Sequence, residues 1–202
     1  MKLLLEGWEK YLNEANMQTA KRLSVFDFDE TIAFTEMPID VYDKATGQRV
    51  ATVETQEEFD KYKSAGDYDF DFSALDRVQD PREVRSITRI LRDRLANAQT
   101  QTMIITARGQ GVEDDIHRYL ATLRPPIDTK GIYIRGLNGG DKGQYVLEIL
   151  KEFPNFKVVE FYDDSIRNVQ DMRRARQASA KITNVKEFNI YHVDSGVINP
   201  VI

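Results

Sequence analysis

The 202-residue sequence contains no cysteine. That absence excludes disulfides, thiolate zinc sites and cysteine nucleophiles, and it fits a reducing compartment. Glycine and proline are scarce, at 11 and 6 residues, so collagen-like and low-complexity architectures are excluded. No window approaches the roughly 20 apolar residues that cross a bilayer, so no membrane partner is expected. The opening run Met1-Lys2-Leu3-Leu4-Leu5 ends at Glu6, Glu9 and Lys10, short of the apolar core of a secretory signal. A cytoplasmic protein is expected. Positive charge is also in deficit: a net charge of -5 argues against a broad nonspecific nucleic-acid surface, though a local basic groove is compatible with it.

What remains is the composition of a folded protein, 41% hydrophobic and 30% charged. The length suits one domain with a small insertion. About 70% of the unfolded surface can be buried in a chain of this size, so no covalent staples are needed. Residues 3 to 16 place Leu3, Leu4, Leu5, Trp8, Tyr11 and Leu12 near one helical face. They predict an amphipathic helix, an appendage over 1–20 that packs on the domain or docks on a protein partner. The domain itself is expected over 21–202.

From Leu23 onward, short apolar runs alternate with helical periodicity. The runs predict strands at Leu23 to Phe28, Thr102 to Ile105, Gly131 to Ile134, Lys157 to Tyr162 and Phe188 to His192. The intervening patterns predict helices over about 82–97, 111–123, 141–152 and 165–179. Asp80 as N-cap and Pro81 in the first turn mark the start of the first of these. Strands separated by helices imply right-handed parallel crossovers, hence an α/β fold with an open parallel sheet covered on both faces. Ligands in such sheets sit beyond the carboxyl ends of the strands.

One region breaks the alternation. Within 33–79, Ile39-Asp40-Val41-Tyr42 and Val50-Ala51-Thr52-Val53 flank a Gly47-containing turn and predict a β-hairpin, followed by a short helix from Gln56 to Lys63. This is a flap inserted into the fold.

Four polar clusters fall at four successive strand ends. The first strand runs out in Asp27-Phe28-Asp29-Glu30-Thr31. Burying such a carboxylate pair without a cation or a reaction would be costly. The second leads into Thr106-Ala107-Arg108, a hydroxyl and a guanidinium suited to phosphate oxygens. Lys142 follows Gly139-Gly140-Asp141 at a helix start, and the fourth strand delivers Asp163-Asp164, with Asn168 one turn later. Hard oxygen ligands without neighbouring His or Cys point to Mg²⁺ rather than zinc. Asp67-Tyr68-Asp69-Phe70-Asp71-Phe72 repeats the acidic spacing but follows no apolar strand, so it is read as a half-exposed extended segment without catalysis. His117 on an amphipathic helix and His192 on a late strand are read as structural.

These residues, taken in order across about 23–192, resemble the haloacid dehalogenase (HAD) superfamily of aspartate-nucleophile phosphotransferases, whose D-x-D-x-T motif matches Asp27, Asp29 and Thr31. The resemblance implies a HAD-like (Rossmannoid) fold and a Mg²⁺-dependent phosphatase with an aspartyl-phosphate intermediate. It implies Asp27 as nucleophile and Asp29 as general acid and base. Thr31, Thr106, Ala107, Arg108 and Lys142 would bind phosphate. Mg²⁺ would be held by Asp27, the backbone carbonyl of Asp29, and the pair Asp163 and Asp164, with Asp164 expected as the direct ligand unless the two share or exchange that role. Asp29 must cycle between protonated and ionised forms, so its pKa is expected to be raised by burial and negative neighbours.

The chain is also similar to small HAD proteins encoded by tailed bacteriophages, to polynucleotide 3'-phosphatase domains and to lipin-type phosphatases. The flap is smaller than a full helical cap, so an open site is expected. Its expected substrate is a nucleotide or polynucleotide 3'-phosphate end, with a phosphorylated small molecule such as a sugar or nucleotide as the alternative, and with Tyr42 and Arg49 of the flap as candidate contacts. A receiver domain would have its acidic pair first in the chain, whereas here it comes last. A catalytically silent HAD-like binding protein is the non-enzyme alternative, and a true dehalogenase would have little use for Asp29.

Overall fold

The computed structural model describes residues 16–36 and 38–202. Of the expected N-terminal helix, residues 3–15 lie outside the described residues, while 16–19 are helical. Met17 and Ala20 are buried in the domain core, and Asn155 Nδ2 donates to both of their carbonyls, at 2.8 and 2.6 Å.

The central sheet has six strands in the order β11-β10-β9-β1-β7-β8. These are β1 (Arg22–Phe26), β7 (Thr100–Thr106), β8 (Ile132–Gly136), β9 (Val158–Asp163), β10 (Glu187–Asp194) and β11 (Val197–Val201). All neighbours run parallel except β11, which closes the sheet as an antiparallel hairpin with β10. The five expected strands are all present, and β11 is an addition. β7 is buried at every position. Burial on both faces is why these strands read as continuous apolar runs rather than alternating ones.

Alternate residues of the strands serve two cores. Phe26, Ile104 and Tyr162 face α2 (Arg85–Leu95) and α3 (Glu113–Thr122), where Ile87, Leu91, Ile116 and Leu120 are buried. Val25, Met103, Ile105 and Phe161 face α4 (Lys142–Glu152) and α5 (Ile166–Ile182), against Val146, Leu150, Val169 and Met172. Each such side chain contributes roughly 1.5–3 kcal/mol of transfer free energy when fully buried. The two helical layers therefore hold the sheet rigid from both sides. The chain first builds outward from β1 through β7 to β8, then returns through α4 to β9 on the other side of β1. That reversal puts the switch point, where a crevice opens beyond the strand ends, at the end of β1.

The insertion is larger than a hairpin with a helix. β3 (Ile39–Asp43) pairs with β4 (Arg49–Val53) as expected, but its other edge takes a third strand, β5 (Tyr68–Asp71). The acidic-aromatic segment thus becomes a half-buried strand. Between β4 and β5 lies α1 (Gln56–Ala65), started by a Thr55–Glu58 capping box and ended by Gly66 at φ 81°. Phe59 of α1 meets Phe70 and Phe72 with ring centroids 4.8 and 5.9 Å apart, and these rings form the insert's own small core.

A two-stranded antiparallel ribbon, β2 (Ala33–Glu36) with β6 (Gln79–Glu83), joins the insert to the sheet. Here the expected helix start is corrected. Asp80 and Pro81 lie in β6, and α2 begins at Arg85 without a side-chain cap. Proline is tolerated because a two-stranded ribbon leaves an unpaired edge that needs no N–H. Asp80, at φ 39°, sits beside the register shift of that ribbon.

Candidate active site

The end of β1 is fixed by its neighbours. Asp27 N donates to Tyr162 O at 2.9 Å, which extends the β1–β9 ladder by one residue. Ile32 N and Ala33 N then both donate to Phe28 O, at 2.8 and 3.0 Å, so the chain turns sharply after Asp29. This turn delivers Asp27 and Asp29 to the crevice on different sides. They meet different partners there.

Asp27 belongs to an acidic group. Oxygen atoms of Asp27, Asp163 and Asp164 lie within 4.8 Å of one another, Asp163 and Asp164 arriving from the end of β9. Lys142, the first residue of α4, reaches between them: its Nζ is 2.6 Å from Asp27 Oδ1 and 2.8 Å from Asp163 Oδ2, with the side chain 1% exposed. The N-cap Asp141, accepting from Gln144 N at 2.9 Å, starts that helix and so aims the lysine.

Asp163 is saturated. Besides Lys142 it accepts from Ser165 N at 2.9 Å and from Asn168 Nδ2 at 3.0 and 3.2 Å. Asp164 is less enclosed and accepts from Thr31 Oγ1 at 3.4 Å. His192 Nε2 donates to the Asp164 carbonyl at 2.8 Å, anchoring that backbone.

One ammonium faces three carboxylates, and burial makes the mismatch felt. Burial pushes the Asp27 carboxyl well above the usual range; Lys142 opposes this, while Asp163, Asp164 and Asp29 add to it. Burial, reinforced by Asp163, pushes Asp164 up to about 6. Burial disfavours the charge of Lys142, yet Asp27 and Asp163 raise its pKa above the ordinary lysine value. Three carboxylates around one ammonium, offering hard oxygen atoms without nitrogen or sulfur donors, could hold a metal ion. With three donors already on Asp163, the freer oxygens for such an ion are those of Asp27 and Asp164.

Asp29 stands apart, its carboxylate outside the acidic group. Arg108 takes it in a fork, Nε at 3.0 and 2.9 Å from the two oxygens and Nη2 at 2.8 Å from Oδ1. Two hydroxyls complete its shell, Thr35 Oγ1 at 2.6 Å and Thr106 Oγ1 at 3.3 Å. The immediate partners of Asp29 are thus a guanidinium and two hydroxyls, with the Asp27 carboxylate still within electrostatic reach. The side chain of Arg108, expected to meet phosphate, here faces Asp29, Thr35 and the insert. The insert closes over it, leaving the side chain 1% exposed. Thr35, on the ribbon strand β2, was not legible as a site residue; an isolated threonine in a short strand carries no signal.

The Thr106–Arg108 loop is itself held from outside. Leu137 N, Asn138 N and Gly139 N donate to the carbonyls of Thr106, Arg108 and Ala107 at 2.9, 3.0 and 2.8 Å. This clasp requires glycine at 136, where a Cβ would lie 2.2 Å from Gly109 O. Ala107 is exposed at the loop tip. On the insert, Arg49 pairs with Asp40 at 3.2 Å and is 59% exposed, and Tyr42 lies half-buried on β3 opposite Asp69.

No family model matches the chain, and no curated protein matches it. Among solved structures it is similar to the HAD domain of effector protein Lem4 from Legionella pneumophila, at 16% identity and TM-score 0.49 over 87% of each chain. It is also similar to the Legionella pneumophila effector Ceg4, at 18% identity and TM-score 0.48 over 86% of each chain. No helix among the described residues is long and apolar enough to cross a membrane.

Proposed function

We propose that the chain is a phosphomonoester hydrolase working through an aspartyl-phosphate on Asp27, as the resemblance of its motifs to the HAD superfamily implies. The observation that carries this reading is the placement of Asp27. It is a buried carboxylate at the sheet's switch point, 2.6 Å from a buried ammonium and grouped with two further carboxylates. Purely structural burial of that arrangement would be strongly unfavourable.

In this reading an Asp27 oxygen attacks phosphorus, a P–O bond to the carboxylate forms, and the bond to the leaving alcohol breaks. Phosphate monoesters are very inert, and splitting hydrolysis into two displacements lowers each barrier. Lys142 holds its charge beside the transferring oxygens and keeps Asp27 oriented. Asp29, entering the cycle protonated, gives its proton to the leaving oxygen and, then ionised against Arg108, takes one back from the water that cleaves the aspartyl-phosphate. Thr106, clasped by 137–139, offers its hydroxyl at the same edge. Mg²⁺, held by Asp27 and Asp164 with Asp163 behind them, would offset the repulsion between the nucleophile and an anionic substrate.

The substrate is proposed to be a small phosphomonoester. A cleft of about 510 Å³ opens beside Thr35, lined also by Phe34, Glu30, Glu36, Asp80 and Arg82. Thr35 links it to Asp29, the group that serves the leaving oxygen. The volume suits a small molecule. Three carboxylates against Arg82, which lies over the Phe34 ring at 5.8 Å, weigh against a polyanionic chain there.

The test is phosphate release with Mg²⁺ from an aryl phosphate, small alkyl and sugar phosphates, nucleoside monophosphates and a 3'-phosphorylated oligonucleotide. Turnover of the aryl and small esters, silenced by EDTA and restored by Mg²⁺, is expected. No turnover of any substrate would overturn the hydrolase reading. Preference for the oligonucleotide would overturn the substrate class alone and favour end repair.

A further inference from the structure

The guanidinium of Arg108 has five N–H donors, and every one is engaged. The Nε proton lies between the two oxygens of Asp29. Those of Nη2 go to Asp29 Oδ1 at 2.8 Å and Thr35 Oγ1 at 3.1 Å. Those of Nη1 go to the carbonyls of Leu75 and Arg77, at 3.2 and 2.6 Å. No donor is left for a phosphate. Leu75 and Arg77 lie where the insert returns to the sheet through β6, and this segment also packs against Gly109, whose Cβ position is 2.3 Å from Asp76 Oδ1.

We infer that Arg108 is a positioning residue: it fixes the orientation of Asp29 and makes the returning stem of the insert, Leu75–Arg77, part of the mount for that group. The inference rests on the hydrolase reading and adds to it a physical link between insert and acid–base chemistry. Asp29 alone cannot hold this geometry, because a free aspartate rotates about two bonds. The planar fork fixes both oxygens at once and refers them to a third element of the fold. Lysine carries the charge but offers three donors from one atom, so it cannot span Asp29 and the two carbonyls.

The test compares Arg108→Lys, Arg108→Gly and Thr35→Val with the parent chain, using 2,4-dinitrophenyl phosphate and an alkyl phosphate. The dinitrophenolate leaves without a proton, so phosphorylation of Asp27 proceeds in the variants. Loss of an oriented Asp29 then slows hydrolysis of the intermediate. Expected results for Arg108→Gly are a dinitrophenolate burst equal to the enzyme concentration and a slow steady state. Its kcat on the alkyl ester should fall roughly 100- to 1000-fold, with KM changed less than about threefold. Added guanidinium should restore part of that kcat, and Arg108→Lys should not. Thr35→Val, which leaves the fork in place, should fall in the same direction by roughly tenfold.

A raised KM with no burst would assign Arg108 to phosphate binding and overturn the proposal. A readout independent of turnover is amide hydrogen exchange over 73–79. Exchange there should quicken by roughly tenfold or more in Arg108→Lys as the two carbonyl contacts are lost. Unchanged exchange would overturn the mount even if the parent chain hydrolysed nothing, an outcome that would by itself refute only the hydrolase reading.

Discussion

The two carboxylates of the D-x-D-x-T motif are two residues apart, and they end in opposite electrostatic states. Asp29 is fully partnered, its charge matched by Arg108 and its oxygens filled by Thr35 and Thr106. Asp27 is under-partnered: it shares one lysine with Asp163 and lies within reach of Asp164. The difference comes from the elements each side chain meets. The turn after Phe28 sends Asp29 towards the ribbon and the insert, whereas Asp27 stays beside the acidic end of β9. A charge-matched pair is electrostatically satisfied as it stands; three carboxylates sharing one ammonium are not, and a cation there would relieve them.

The sharpest way to break this contrast is at the under-partnered end. Asp27→Asn is expected to lower phosphate release by roughly four orders of magnitude or more while the far-ultraviolet dichroism stays unchanged. Asp29→Asn, at the matched end, should spare the phosphorylation step for activated aryl esters and so trap the aspartyl-phosphate. Equal damage to both half-reactions from the two variants would erase the proposed division of labour.

Next in size is Lys142→Met. It removes the one cation between Asp27 and Asp163, with an expected loss of about 100- to 1000-fold in kcat. Because it leaves buried carboxylates without their partner, a stability loss of about 3–5 kcal/mol is also expected by urea titration at neutral pH. Unchanged stability would show that the ammonium does not offset those charges.

The pH response sharpens the same comparison. Asp27 and Asp164 titrate above ordinary carboxyls, Asp164 at about 6. Between the unfolded carboxyl value and about 6 the folded state binds more protons. These groups therefore make the metal-free protein less stable as pH rises through that window. A divalent ion needs the ionised carboxylates, so its affinity should fall on acidification below about 6, and adding it should remove the alkaline destabilisation. Thermal unfolding from pH 4.5 to 7.5, with and without Mg²⁺, checks both signs. A metal-free midpoint that climbs across that range would contradict them.

Gly136→Ala is a smaller perturbation, directed at the Thr106–Arg108 loop beside Asp29. The new Cβ would meet the Gly109 carbonyl at 2.2 Å, forcing the clasp over Thr106–Arg108 to open. A loss of about 1–3 kcal/mol is expected from the forced backbone shift. The smallest effect is expected from Arg49→Ala on the insert, whose exposed pair with Asp40 is screened by solvent. Its melting temperature should not change, and a large rise in KM would restore it as a substrate contact.

How much of this was legible in the sequence follows from how each part is buried. The parallel strands are apolar on both faces, so Val25-Phe26 and Met103-Ile104-Ile105 announce themselves, and the polar residues that follow mark the crevice. The insert is two-sided and short. Its third strand, Tyr68–Asp71, alternates acid with aromatic residues because only one side meets α1, and such a segment reads as extended without revealing its partner. Asp80-Pro81 carries a genuine helix-start signal, yet ribbon pairing with β2 captured it. The partner of Arg108 was hidden for a different reason. A guanidinium after a strand end suits phosphate as well as carboxylate, and only the fold brings Thr35 and the Leu75 and Arg77 carbonyls around it.

The claim on which the account turns is that Asp27 receives the phosphoryl group. The most direct measurement is a crystal structure with Mg²⁺ and beryllium fluoride. The account predicts beryllium bonded to an Asp27 carboxylate oxygen, Lys142 against its fluorines, the ion touching Asp164, and the Asp29–Arg108 fork intact. Beryllium fluoride elsewhere, with the Asp27 side chain turned from it and from the ion, would contradict the account.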